Sequence, residues 1–389
     1  MTNWQRIRAV AGRELRIIRN RPLYLVGSVG VIAFCAIFYL TFLNGGLPHD
    51  IPIGVVDEDC SSTSRNFCQQ LDATQLGEVI HYDSFASARE DMISGKISSV
   101  CLIPEGLNED VQAFRQPKIT FYVNGLYFVS GALAWKDLLT MVNMANGAVQ
   151  REMLRAKGYN DSQILGMIRP IDIDTHQIGN VTTSYNYYLS GLLLPGILEM
   201  IVILVLIYSL GAELKFGTSR HLMDTSGHSI VNALAGKLLV WTVIFSVIGF
   251  ILVMLLYHQL HFPMNGKIFN MFIPMLLLVL SSEAIGTFIL EMVPVPRLAL
   301  SIGALYSVLG FSLAGFTLPL EAMPPYIQGL AVMFPLRHYY LFYVQEAIFG
   351  TGFAGWWKEV IWLMIFLFVP LAGLLRLKDA YIHQNYPKE

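Results

Sequence analysis

Long apolar runs, separated by short polar breaks, occupy most of this 389-residue chain. Six of the runs approach the ~20 residues that an α-helix needs to cross a hydrocarbon layer. They cover Leu23–Leu43, Tyr187–Leu210, Ile230–Tyr257, Ile268–Leu290, Leu298–Leu318 and Trp357–Leu375. We therefore predict an α-helical membrane protein with six transmembrane helices. The first run is too long for the apolar core of a signal peptide, and no small-residue cleavage site follows it, so we expect it to be retained.

The 44–183 segment between the first two runs has the shorter pattern of an α/β domain. Four stretches read as strands, namely Ile51–Val56, Glu78–Tyr82, Ile97–Ile103 and Lys118–Val123. Helical patterns separate the first three strands, and the second of these patterns covers Phe85–Ile93. The 127–157 stretch predicts one or two long helices that form a stalk. The predicted organisation is thus an N-terminal part (1–43), an inserted α/β domain (44–183) and a second membrane part (184–389) with five spans.

Composition and charge give this arrangement an orientation. The chain is 54% hydrophobic and 14% charged, which excludes an ordinary water-soluble enzyme. Six arginines precede Pro22 with a single acid, Glu14, which predicts a cytoplasmic N-terminus. Six crossings return the C-terminus to the same side, where Arg376 and Lys378 follow the last span. The 44–183 segment holds 17 acidic and 10 basic residues, a balance that suits the extracytoplasmic side.

The residues before the first span form an amphipathic pattern. Apolar residues recur at three- and four-residue steps, at Trp4, Ile7, Ala11, Leu15 and Ile18. We expect a helix lying flat on the membrane, with Trp4 among the headgroups and arginines on lipid phosphates. An ordinary cytoplasmic helix is the alternative.

Motifs for catalysis or metal binding are absent from the sequence. It contains no G-x-x-x-x-G-K-[ST] phosphate loop, no H-E-x-x-H helix and no G-x-S-x-G elbow. Asp57 and Asp59 are better explained as turn and helix-capping residues than as metal ligands. His258 and His261 could share a metal on one helical face, but two ligands make a poor site. We expect a non-enzyme that binds no metal or cofactor itself.

Cys60 and Cys68 are candidates for a disulfide only if Cys60 lies in a loop, because eight residues of helix would separate them by ~12 Å.

Two carboxyl groups lie within predicted spans, at Glu199 and Glu283. A charge at mid-bilayer costs at least ~2.5 kcal/mol, so each must face a helix, a cavity or a pathway. We favour hydrogen bonding between packed helices, and a direct role in transport or proton relay is the alternative.

The 211–229 loop after the second span carries an acidic residue, a Gly-Thr pair, a leucine and a threonine, and a Gly-Lys pair follows it. These residues are Glu213, Gly217, Thr218, Leu222, Thr225, Gly236 and Lys237. The loop resembles the coupling-helix loop of ABC transporter permeases of the type 2 exporter class, with Arg220 and Ser226 departing from the usual acidic residue and proline. A short amphipathic helix here would present Leu214, Leu222 and Met223 to a groove and Lys215 and Arg220 to its rim. The resemblance implies that six residues of the loop couple the chain to an ATPase, and these are Glu213, Gly217, Thr218, Arg220, Leu222 and Thr225.

A second irregular segment, 319–349, follows the fifth span. It is apolar but broken by prolines and too short to cross twice, which predicts paired re-entrant half-helices. The order of its marker residues is similar to that of the same exporter class: Pro319, Glu321, Met323, Pro324 and Pro335.

The resemblance covers essentially the whole chain, and Val55–Ser61 looks like the start of the large extracytoplasmic domain in a bacterial subgroup of these permeases. It implies an inner-membrane permease subunit that works with a second permease chain, identical or a sister, and with two ATPase subunits that bind ATP and Mg. The implied cargo is amphipathic or lipid-like and moves outward. Membrane lipids and a periplasmic adaptor are further expected partners, and nucleic acid is not. The alternatives are a receptor or sensor whose α/β domain binds a ligand, and an intramembrane enzyme.

Overall fold

A computed structural model describes residues 2–46, 50–74, 77–113, 115–125, 128–169, 174, 176, 178–182 and 184–384, with the side chains of residues 128 and 129 excepted. The chain divides into two compact units. The first, the membrane unit, comprises Met1–Asn44 and Gln177–Glu389, and the second, the sheet unit, comprises Gly45–His176.

The membrane unit begins with helix α1, Asn3–Asn20, and helix α2, Pro22–Phe42. A capping box between Thr2 and Gln5 satisfies free amide groups at the start of α1. Pro22 occupies the first turn of α2, where its missing N–H costs nothing. The chain is thus helical over the predicted N-terminal helix and over the first apolar run, which is long and apolar enough to cross a membrane.

The inward face of α1 differs from the predicted stripe. Val10, Ala11 and Glu14 are buried, whereas Trp4 and Leu15 are 66% and 54% exposed. The predicted stripe contains only apolar residues, whereas the packed face of α1 also includes the buried acid Glu14.

The sheet unit consists of a four-stranded mixed sheet with helices on both faces. Strand β1 lies parallel to β2 and β3, and β4 closes one edge antiparallel to β3. Its elements follow the predicted order: β1 Ile51–Asp57, α3 Ser62–Asp72, β2 Gly77–His81, α4 Phe85–Ile93, β3 Ser99–Ile103, α5 Leu107–Gln112, β4 Thr120–Val123, α6 Phe128–Ala156 and α7 Asp161–Ile168.

Alternating residues of β1 build the two cores of this unit. Ile53 and Val55 pack with Leu71 and Leu138 on one face, while Val56 packs with Ala88, Ile97 and Val100 on the other. This alternation is what a strand covered on both faces requires.

The Asp57 turn has the capping chemistry expected of it. One carboxylate oxygen of Asp57 accepts the amides of Asp59 and Cys60, and the other accepts the Ser64 hydroxyl. Ser61 caps α3. Cys60 is an exposed free thiol and Cys68 a buried one.

The second membrane part begins at residue 184 and is mainly helical. Its helices are α8 Tyr185–Lys215, α9 Ser219–Thr225, α10 Ile230–Gln259, α11 Ile268–Met292, α12 Pro296–Leu313, α13 Pro325–Ala331, α14 Pro335–Tyr343, α15 Phe353–Phe366 and α16 Leu374–His383.

Within the described residues, six helices are long and apolar enough to cross a membrane. They are α2, α8, α10, α11, α12 and the stretch Phe353–Ala372 that begins with α15. The fifth ends at Leu313, five residues earlier than predicted, because the chain turns at Gly315 with a positive φ of 96°.

Helix α10 ends before its second histidine. His261 lies beyond Gln259 with a φ of 51°, so it shares no helical face with His258. Among the described residues, no group of three or more potential ligands is placed to hold a metal.

Helix α8 lies at the centre of the membrane unit and packs against α10, α11 and α12. Its closest neighbour is α11, where a Cβ at Gly286 would lie 3.0 Å from the Ile203 carbonyl oxygen. Because successive spans alternate in direction, α8 and α11 run parallel. Glu199 and Glu283 lie one helical turn before Ile203 and Gly286, respectively.

Candidate functional site

Four charged side chains from three helices meet where α1 crosses α8 and α10, and we call this cluster the polar junction. Arg13 of α1 donates two hydrogen bonds to Glu213 of α8, at 2.7 and 2.9 Å. The Lys237 ammonium, from α10, lies 2.7 Å from Glu14 Oε2 and 2.8 Å from Glu213 Oε1. The charges of the two cations and the two anions therefore sum to zero.

Neutral donors complete the polar junction. Glu14 Oε1 also accepts from the Ser209 hydroxyl at 2.6 Å and from the Trp241 indole at 3.1 Å. Thr218, at the start of α9, donates to Glu213. Burial lowers the pKa of Arg13, but its hydrogen bond and charge interaction with Glu213 outweigh that effect and raise it. A buried ion cluster is costly unless its members are all paired, and here each of the four is.

A glycine allows the helices to approach closely enough for these bonds. A Cβ at Gly236 would lie 2.6 Å from the Val10 Cβ, a distance that side chains do not tolerate. Substitution would push α1 away from α10 and lengthen the contact of the adjacent Lys237 with Glu14. The Gly236-Lys237 pair therefore has a structural explanation.

Helix α9 confirms the predicted short helix, but its apolar side chains face inward. Leu214, Leu222 and Met223 are buried within the chain, so the expectation that they dock into a partner's groove is wrong. They pack inward because α1, α10 and α16 surround the loop. The exposed side chains of the loop, which we call the loop surface, are Lys215, Phe216, Arg220, His221, Asp224 and His228.

The C-terminal helix α16 supports this loop. The Ser219 hydroxyl donates to the Tyr381 carbonyl at 2.8 Å, and the Tyr381 hydroxyl donates to the Leu210 carbonyl at 2.9 Å. Arg220 donates to the Ile382 carbonyl at 3.3 Å. The loop is thus held from two sides, by α1 and by α16.

The remaining predicted loop residues have local roles. Gly217 ends α8 with a φ of 69°, which favours glycine. The Thr225 hydroxyl donates to the His221 carbonyl one turn back. Of the six predicted coupling residues, Glu213 and Thr218 belong to the polar junction and Arg220 to the loop surface.

The two predicted intramembrane carboxyls differ in their contacts. Glu283 accepts a 2.6 Å bond from the Thr242 hydroxyl through one oxygen, while its other oxygen has no partner. Within the part of the chain that the structure describes, neither oxygen of buried Glu199 has a hydrogen-bond partner. The prediction of hydrogen bonds between packed helices therefore holds for one oxygen of Glu283. It does not hold for Glu199 among the described residues.

Sequence reasoning missed two further buried acids. Glu291, in α11, has no partner for either oxygen. Glu346 accepts from the Lys267 amide, the Asn270 side chain and the Trp356 indole, at 2.9, 2.6 and 2.8 Å. Glu346 lies in an aromatic-rich run of the sequence, and a single acid in such a run forms no periodic pattern that would indicate its burial.

The proline-rich segment forms two short helices, as predicted. A 3₁₀ turn, Leu320–Ala322, follows Pro319 and contains exposed Glu321, and Met323 ends it. Pro324 precedes α13, and Pro335 opens α14. With seven and nine residues, neither helix is long enough to cross a bilayer.

The family to which the chain belongs is the ABC-2 family transporter proteins, whose family model matches residues 24–376. The protein is therefore a multi-pass membrane transport permease of the ABC type, a class that works with ABC ATPases in general. A comparison with curated proteins gave no match.

Proposed function

We propose that this chain is the permease subunit of an ATP-driven exporter in a bacterial cytoplasmic membrane. It pairs with a second permease chain, identical or a sister, and with two ATP-binding subunits that hold ATP and Mg. Its cargo is amphipathic or lipid-like and leaves the cytoplasm or the inner leaflet. Family membership favours this function over a receptor or an intramembrane enzyme.

The observation that carries the proposal is the position of Glu213. It lies at the base of the loop and is bonded to α1 through Arg13 and to α10 through Lys237. A displacement of the loop therefore moves three helices together, since breaking any of these buried contacts would leave a charge unpaired.

The loop surface supplies the contact with the ATP-binding subunit in this proposal. It carries both signs of charge, with Arg220 and Asp224 exposed on α9. Charges at an aqueous rim select a partner and its register more than they add affinity.

Only the outer face of α1 is available to contact lipid in this proposal, because its inner face packs against other helices. Its outer face presents Trp4 and Leu15 together with Arg8 and Arg19, and α2 follows directly. An aromatic side chain beside cations at the start of a span suits phospholipid headgroups.

The proposal is tested by reconstituting this chain together with an ABC ATP-binding subunit from the same organism. In proteoliposomes, ATP added outside reaches the complexes whose ATP-binding subunits face outward. We expect ATP to move a fluorescent phospholipid from the outer to the inner leaflet, where dithionite cannot quench it. Movement in the opposite direction would contradict export. ATP hydrolysis that is unchanged by adding this chain would contradict the partnership.

A further inference from the structure

His338 lies on α14 and is 3% exposed. Its Nδ1 is 2.8 Å from Oε2 of Glu359 on α15, and its Nε2 is 3.0 Å from the carbonyl oxygen of Val332, next to the end of α13. One imidazole therefore joins both short helices to the last span.

Hydrogen-bond chemistry fixes how many protons this arrangement needs. A carbonyl oxygen only accepts, so Nε2 must carry a proton. The contact between Nδ1 and the carboxyl needs a second proton, held either by Nδ1 or by Oε2. In both cases the pair is neutral overall, and without that proton a nitrogen lone pair would face a carboxylate at 2.8 Å.

We propose that His338 and Glu359 share one proton, and that this proton holds α14 against α15. His338 is then a positioning residue for the half-helix pair. When the proton leaves, two acceptors face each other in a poorly hydrated site, and the contact opens. The inference requires no particular substrate or partner.

Aromatic rings enclose the imidazole. Trp362 stacks on it with ring centroids 5.4 Å apart and an angle of 16°, and Phe366 lies at 6.1 Å. These rings exclude water from Nδ1, so the shared proton has no competing solvent partner. The Glu359 side chain is 12% exposed and the His338 side chain 3%.

Arg337 and the elements packed on α14 carry the other charged groups of this region. Arg337, adjacent in sequence, donates to the Ala314 carbonyl and interacts electrostatically with Glu321 and Glu359. The elements packed on α14 are α8, α11, α12, α15 and the turn Val344–Ile348. Besides Glu359, their acidic and basic side chains are Glu199, Glu213, Lys215, Glu283, Glu291, Arg297, Glu346 and Lys358.

The test is hydrogen exchange of the purified full-length chain in detergent between pH 5.5 and 9, corrected for intrinsic rates. In the parent we expect amides of 335–343 to exchange about tenfold faster at high pH, as loss of a buried charged hydrogen bond predicts. In Glu359→Gln the amide donates to Nδ1 without a titrating proton, so protection should persist across the range. His338→Phe, which keeps the stacking, should exchange fast at every pH.

Glu321→Gln is the matched control, because Glu321 is an exposed carboxyl in the same segment. It should keep the pH dependence of the parent. A parent profile without pH dependence, or the same dependence in Glu359→Gln, would refute the shared proton. If His338→Phe does not fold, the comparison of Glu359→Gln with the parent still decides.

Discussion

Lys237 is the residue on which the polar junction depends most directly, because its ammonium bonds both carboxylates. In Lys237→Met, two buried carboxylates would lose their shared cation, at a cost of about 3–5 kcal/mol in the free energy of unfolding. We expect a clear fall in the melting temperature of the purified chain. Lys96→Met is the control, since that lysine pairs with Asp91 at the surface and should leave stability nearly unchanged. Equal losses in the two variants would contradict the junction's role.

Glu199 and Glu283 should respond oppositely to the same replacement. Glu199→Leu removes a buried carboxyl that makes no hydrogen bond, so we expect unchanged or higher thermal stability. Glu283→Leu leaves the Thr242 hydroxyl without its acceptor and should destabilise by about 1–3 kcal/mol. Glu283→Gln keeps an acceptor and should resemble the parent. A large loss of stability in Glu199→Leu would indicate a partner for this carboxyl in the folded protein.

At the scale of residues, the sequence identified buried acids only where apolar neighbours made them conspicuous. Glu14 lies between arginines in the sequence, so the sequence indicated only its charge, although the side chain is fully buried. Its partners Ser209, Lys237 and Trp241 lie 195 to 227 positions away. No local pattern reports a contact at such separations.

At the scale of elements, the loop offers a paired prediction. Arg220→Glu should leave the melting temperature unchanged and lower ATP hydrolysis by the reconstituted complex, because Arg220 is exposed. Leu222→Asp should instead destabilise the chain itself, since Leu222 is fully buried and an unpaired charge would enter the core. Unimpaired hydrolysis in Arg220→Glu would remove this side chain from the coupling contact. A stable Leu222→Asp would contradict the packing described.

Elements with a clear period were predicted well, and those ended by backbone geometry were not. The α4 prediction matches Phe85–Ile93 at both ends, because Ser84 caps it and an apolar spacing defines it. The predicted fifth span runs beyond Leu313, where the helix ends, because the sequence stays apolar past the turn at Gly315. Composition alone carries no signal for such a turn.

At the scale of the whole molecule, the orientation of the spans is a prediction that native thiols can test. Burial raises the pKa of Cys68 to about 11 and that of Cys101 to about 12, so both are unreactive at neutral pH. Cys60 is exposed. A membrane-impermeant maleimide should therefore label Cys60 in intact cells, and Cys60→Ser should abolish that labelling.

The two ends of the chain complete this experiment. In a Cys60→Ser background, a cysteine at Gln112 should react in intact cells, whereas cysteines at Asn3 and Lys388 should react only after lysis. Lys388 lies outside the described residues, and its expected side follows from six crossings. Labelling of Lys388 but not of Gln112 would overturn the predicted orientation.

The bonds between α1 and the later helices also constrain when the protein can assemble. Arg13 and Glu213 are 200 positions apart, and translation at about 5–20 residues per second separates their synthesis by about 10–40 s. Throughout that interval Glu14 and Arg13 are already made, but no native partner exists for either. The ion pairs that hold α1 to the later helices can therefore form only after α2, the sheet unit, α8 and the start of α10 have been synthesised.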